Sequence, residues 1–165
     1  MAETEALIGL AEVALALAGF VAIVMVLATR DGSPDPDTAA TVRVMISSSV
    51  GSAFACLFAL AILSFDITPA NAWLLSSMLS LVGAAGISTA NHYQVLRHLP
   101  GPWSLRGSFW WGLAVTGALV HLLNVLGFWG GPSFALFVLG TVVFLAQCGS
   151  QFVYTMAKLL GSSGP

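Results

Sequence analysis

With 165 residues, 58% of them hydrophobic and only 7% charged, the chain cannot cover itself with a solvated surface, for which a soluble domain uses about a quarter charged residues. A formal net charge of -2 and the lack of any Lys/Arg cluster exclude a nucleic-acid partner. The composition is that of an integral membrane protein whose first partner is the lipid bilayer.

The first apolar run covers residues 6–29, about 36 Å of helix and enough to cross a hydrocarbon core of about 30 Å. Glu3 and Glu5 stand where a cleaved leader would carry Lys or Arg, so the run reads as a retained span. It also holds Glu12, the only acidic residue well inside an apolar segment. All seven prolines, at 34, 36, 69, 100, 102, 132 and 165, lie between apolar runs or at the end of the sequence, and proline breaks a helix interior. The uninterrupted runs predict five spans, at about 6–29, 42–65, 72–96, 109–129 and 134–160, within a single transmembrane domain over 1–165. Runs of this length without two-residue alternation are helices rather than barrel strands. The expected fold is therefore all-α, a polytopic membrane protein with five transmembrane helices in an antiparallel bundle.

The connections agree with this division. Residues 30–41 hold Asp31, Gly32, Pro34, Asp35, Pro36 and Asp37, a polar turn whose last aspartate is a candidate cap for the second helix. Thr68 and Pro69 form a cap and first-turn proline for the third. Gly130, Gly131, Pro132 and Ser133 make so short a link that the fourth and fifth helices must be antiparallel neighbours. Arg30, Arg43, Arg97, Arg106 and Lys158 all fall on one side of a five-span arrangement, which predicts an external N-terminus and a cytoplasmic C-terminus. Trp73, Trp110, Trp111 and Trp129 at span ends, with Trp103 in the third loop, fit interfacial anchors.

In lipid, helices associate through small residues and through polar groups that bond across. Ser76, Ser80, Ala84 and Ser88 recur every four residues and lead to His92; Gly9, Ala16 and Gly19 flank Glu12; Ser47, Gly51 and Ala55 form a third stripe. These read as packing seams. By helical rise, Glu12 lies roughly 9 Å inside one edge and His121 roughly 12 Å inside the same edge, so the two can meet at one depth. A buried carboxylate costs several kcal/mol unless paired or protonated, and intramembrane ionisable groups mark ion paths or proton relays. Glu12, His121 and the neighbouring Asn124, with Gly117 one turn deeper, are thus a candidate proton or ion pathway; the alternatives, that Glu12 and His121 bond only to fix helix packing or that Glu12 is water-exposed near the outer surface, weigh equally. Asn91 and His92 with Gln147 and Gln151, supported by Ser47, Ser48, Ser49 and Tyr154, form a second polar cluster in the inner half. Gln147, Gln151, Tyr154 and Lys158 share one helical face.

No cofactor is expected. His92 and His121 lie at opposite depths and His98 is in a loop, so a bis-histidine haem does not fit. Metal-ligand spacing is absent, and Cys56 and Cys148 read as small apolar packing residues. Lys158 is too near the end of its span for a retinal Schiff base, and no catalytic triad or phosphate loop stands in a working context, so an enzyme is the least favoured class. The favoured class is a small oligomeric channel or proton-linked transport protein; the alternative is a non-catalytic accessory or structural subunit of a larger membrane complex.

Length and span number resemble the tryptophan-rich sensory protein and translocator family, but that family's Trp- and Pro-rich first-loop signature is absent from this acidic, Trp-free loop, and its tetrapyrrole binding is not carried over. Leu17, Ala18, Gly19 and Phe20, the apolar residues after them, a short polar loop, Arg43 and a serine-containing second helix resemble a set of small uncharacterised bacterial multi-span proteins. That resemblance covers the first third of the chain and implies a bacterial inner membrane and no particular activity.

Overall fold

The computed structural model describes residues 2–29, 32, 36–65, 67–86 and 105–161. Among them the fold is all-helical: α1 (Ala2–Ala28), α2 (Pro36–Leu63), α3 (Pro69–Ser80, continued by a π-helical turn Leu81–Ala85), α4 (Leu105–Val125) and α5 (Phe134–Gly161). Four of these, α1, α2, α4 and α5, contain stretches long and apolar enough to cross a membrane. The third predicted span, 72–96, is helical as far as Gly86; the rest of it lies outside the described residues. The first two helices begin four and six residues before the predicted starts, since a polar first turn does not interrupt a helix whose next residues are strong formers.

Capping agrees with the sequence at one helix and departs from it at another. Thr68 is the extended residue before α3 (φ -60°, ψ 140°) with Pro69 at the first helical position, although its side chain makes no capping bond. Its carbonyl instead accepts from the amide of Ala72, 3.1 Å away. Pro36 rather than Asp37 opens α2, which places Asp37 inside the first turn instead of at the cap. Helix α4 stops at Val125, four residues short of its predicted end, because the chain turns through Gly127 (φ +66°), Gly130 (φ +87°) and Gly131 (φ +122°). Such dihedrals strain any residue with a Cβ.

Helix α1 packs on α2 and α5, α2 also on α3, and α4 on α3 and α5. Thr38 meets Lys158 near one end of the α2–α5 interface, and Cys56 and Ala59 join Phe137 near the other, so these two helices run in opposite senses. One apolar cluster gathers Leu7, Ala11, Ala55, Cys56, Ala59, Trp73 and Phe137; a second gathers Val21, Val24, Val42, Met45 and Cys148. Trp73, expected from sequence as an interfacial anchor, is only 3% exposed and packs within the bundle against the tilted rings of Phe134 and Phe137 at 5.1 and 6.1 Å. In the first turns of α3, it faces the small residues of α2, which leave room for an indole. Trp129 is 73% exposed in the glycine turn.

Candidate functional site

Helix α1 buries Leu7, Ala11, Ala14, Val21 and Val24, a stripe with the 3–4 spacing of a helix that packs on one side only. Glu12 lies off that stripe and is exposed. Gly9 and Gly19 have open space where a Cβ would stand, so the small residues around Glu12 form no seam among the described residues. Depth alone brings Glu12 level with His121; the direction each side chain takes around its helix separates them. His121 is fully buried, its Nδ1 lies 3.4 Å from Ser77 Oγ, and its Nε2 has no hydrogen-bond partner. The direct Glu12–His121 bond expected from the sequence is therefore not made.

What the structure does assemble around His121 comes from α3, α4 and α5. Asn124, one turn along α4, donates from Nδ2 to Ser77 Oγ (2.8 Å) and to the Ser133 carbonyl (3.1 Å), and its Oδ1 accepts from the Ser133 amide (2.7 Å). This one amide uses both its hydrogens and its oxygen to tie α4, α3 and the α4–α5 turn together. Ser77 Oγ, already accepting from Asn124, has its own hydrogen free to point at His121 Nδ1. The consistent assignment of the neutral ring puts the imidazole hydrogen on Nε2.

Two glycines shape the space on either side of that ring. The His121 ring stacks on Phe144 with centroids 5.6 Å apart and an 18° interplanar angle, and meets Phe137 edge-on at 5.7 Å. A Cβ on Gly140 of α5 would lie 2.7 Å from His121 Nε2, and one on Gly117 of α4 would lie 2.9 Å from Phe144 Cε1. Each helix thus offers a glycine slot to the ring of the other. The sequence marks Gly117 as a neighbour of His121. It does not single out Gly140, for which the usable signal is a glycine well inside an unbroken apolar helix.

Beyond Phe144 the buried face of α5 continues through Gln147, Gln151 and Thr155. The carbonyl oxygens of Gln147 and Gln151 are buried without a hydrogen-bond partner, as are Ser52 Oγ on α2 and Ser76 Oγ on α3. Ser48 and Ser49 are buried on α2, Ser49 bonding back to the Met45 carbonyl at 2.8 Å. Lys158 Nζ donates to Thr38 Oγ1 at 3.2 Å at the far end of the same line. Tyr154 packs its ring on Trp110 at 5.2 Å. Asn91 and His92, expected in this cluster, lie outside the described residues. Cys56 and Cys148 are buried and free, with Cys148 Sγ directed at the Met45 carbonyl 3.5 Å away.

No family model, curated protein or solved structure matches this chain. The partial resemblance of its first third therefore adds nothing to the assignment, and geometry alone defines the site. Its substance is a set of buried polar groups from Asn124 and His121 to Gln147 and Gln151, with the half-buried Lys158 beyond them on α5. Most native buried polar atoms have partners, and an orphaned one costs about 1–3 kcal/mol. Five such atoms lie among the described residues of this bundle.

Proposed function

We propose that this protein is a small transport-type membrane protein, a proton channel or proton-linked carrier, whose path is the polar line through the helix bundle. In this reading the chain crosses a bacterial inner membrane five times as an antiparallel bundle, with the N-terminus outside and the C-terminus in the cytoplasm. The placement of all five Lys and Arg residues supports that orientation. The observation that carries the function is the set of buried, unpartnered atoms: Ser52 Oγ, Ser76 Oγ, His121 Nε2, Gln147 Oε1 and Gln151 Oε1. A membrane bundle that needed only to hold together would gain by closing those bonds or replacing the groups with apolar ones. Of these five atoms only His121 Nε2 belongs to a side chain that can both take up and release a proton, and Ser77 and Asn124 fix its ring. Glu12 is outside the path.

Purified protein in proteoliposomes with an internal pH-sensitive dye tests this. Wild type is expected to collapse an imposed pH gradient faster than empty liposomes, His121→Gln to lose that activity, and Glu12→Gln to keep it. Equal rates for wild type and empty liposomes would remove the transport reading.

A second reading is favoured by the exposure of Glu12 within an apolar segment. A carboxyl facing hydrocarbon is costly, and a neighbouring subunit, whether a second copy or another chain of a larger membrane complex, would relieve it. On that reading Glu12→Leu removes the requirement for the neighbour, and co-purification of the wild type with other subunits from native membranes is the check.

A further inference from the structure

The polar line is interrupted at one ring. Along the buried face of α5 the residues run Gly140, Phe144, Gln147 and Gln151, so a benzene ring stands between the His121 level and the two glutamines. Four of the five unpartnered polar atoms lie on either side of it, Ser76 Oγ and His121 Nε2 toward the Asn124 end and Gln147 Oε1 and Gln151 Oε1 toward the Lys158 end; the fifth, Ser52 Oγ on α2, follows Gly51 and precedes Ala53, which packs with Leu145. The ring is 1% exposed. It is clamped between the His121 imidazole, 5.6 Å away and nearly parallel, and the bare backbone of Gly117, where even a methyl group would come within 2.9 Å. By helical rise Phe144 is about 15 Å from the start of α5, close to the middle of a hydrocarbon core of about 30 Å.

We infer that Phe144 is the gate of this line, an aromatic barrier at mid-membrane that separates two water-accessible polar compartments, one at Ser76 and His121 and the other at Gln147 and Gln151. Hydrophobic constrictions close a pore by excluding water over a short length, and a single buried ring between polar stretches meets that description. Its stacking on His121 couples the barrier to the imidazole of the line. A change in the tilt of the imidazole alters the surface on which the ring rests, and the absence of a side chain at Gly117 gives the ring its seat against α4. The gate takes its purpose from the transport reading, but its test does not use flux.

The test is sided labelling with a membrane-impermeant, positively charged methanethiosulfonate, applied to right-side-out and inside-out vesicles. The background carries Cys56→Ala and Cys148→Ala, into which Ser76→Cys or Gln151→Cys is introduced. With Phe144 present, Ser76→Cys is expected to react only from the Asn124 end and Gln151→Cys only from the Lys158 end. Adding Phe144→Ala should abolish the sidedness, each cysteine then reacting from both ends, while Phe144→Met, which keeps most of the volume, should retain it. Ala11→Cys, in the apolar α1 interface, reports folding and should stay unlabelled throughout. Sidedness unchanged by Phe144→Ala in protein that leaves Ala11→Cys unlabelled, labelling from both ends with Phe144 present, loss of sidedness in Phe144→Met, or no labelling of either position would overturn the gate. Correct labelling without proton flux would leave the barrier and remove transport; flux with Phe144-independent labelling would do the reverse.

Discussion

Asn124 is the position where the geometry converts most directly into a measured quantity. Its side chain is fully buried and makes three hydrogen bonds, two donated to Ser77 Oγ and the Ser133 carbonyl and one accepted from the Ser133 amide. Side-chain bonds between helices in membranes average about 0.6 kcal/mol and reach about 1.7. The Ser133 groups lie in a half-buried turn next to the exposed Gly130, where water replaces part of what is lost. Ser77 Oγ, fully enclosed, has no such recourse and keeps only its long contact with His121. Asn124→Ala should therefore cost about 2–4 kcal/mol, the sum of three modest bonds and one stranded hydroxyl. Ser77→Ala removes a single partner and should fall between Asn124→Ala and wild type. Reversible unfolding in mixed micelles, titrated with denaturing detergent and followed by helical circular dichroism, reads these differences. A loss below about 0.5 kcal/mol for Asn124→Ala, the range of ordinary surface substitutions, would refute the view that this amide locks three elements together.

The same assay separates tight glycines from open ones. Gly140→Ala puts a methyl group 2.7 Å from a His121 ring hemmed in by Phe137 and Phe144, and overpacking of about 1–3 kcal/mol should outweigh the helix-propensity gain of up to about 1 kcal/mol. Gly149→Ala, with open space around the new carbon, should be neutral or stabilising; destabilisation by both would show that the His121 contact is not the cause. Glu12→Gln, on the exposed face of α1, should change the stability of the detergent-solubilised monomer by less than about 0.5 kcal/mol, and a larger loss would mean that the carboxylate has a structural partner.

Much of the architecture is legible in the sequence because membrane spans are set by length and composition, which proline and glycine punctuate. The apolar runs locate α1, α2, α4 and α5, and the Gly130–Gly131–Pro132–Ser133 link correctly makes α4 and α5 packed neighbours. The buried face of α5 through Gln147 and Gln151 is readable from helical spacing, as is the pairing of Asn124 with the His121 level. Residue counting fixes depth along a helix. It does not fix which neighbour a face meets, and that is why depth pairs Glu12 with His121 although α1 packs through Leu7, Ala11 and Ala14. Ser77 is hidden in the sequence beside the four-residue repeat of Ser76 and Ser80. A π-helical turn, wider than an α-helical one, follows Ser80 at Leu81–Ala85, and Ser88 and His92 lie outside the described residues. The reciprocal slots of Gly117 and Gly140 depend on two helices facing each other in one register, a relation that exists only once they are packed.

The most direct measurement of a wet path is the transfer of magnetisation from water to side-chain amides in solid-state NMR of the protein in bilayers. If the polar line is a path, the Gln147 and Gln151 amides and the His121 ring should receive magnetisation from water at rates well above those of Leu7, Ala11 and Ala14, which are buried just as deeply. Rates for the three polar side chains indistinguishable from the apolar three would show a dry interior, and the transport function would be contradicted.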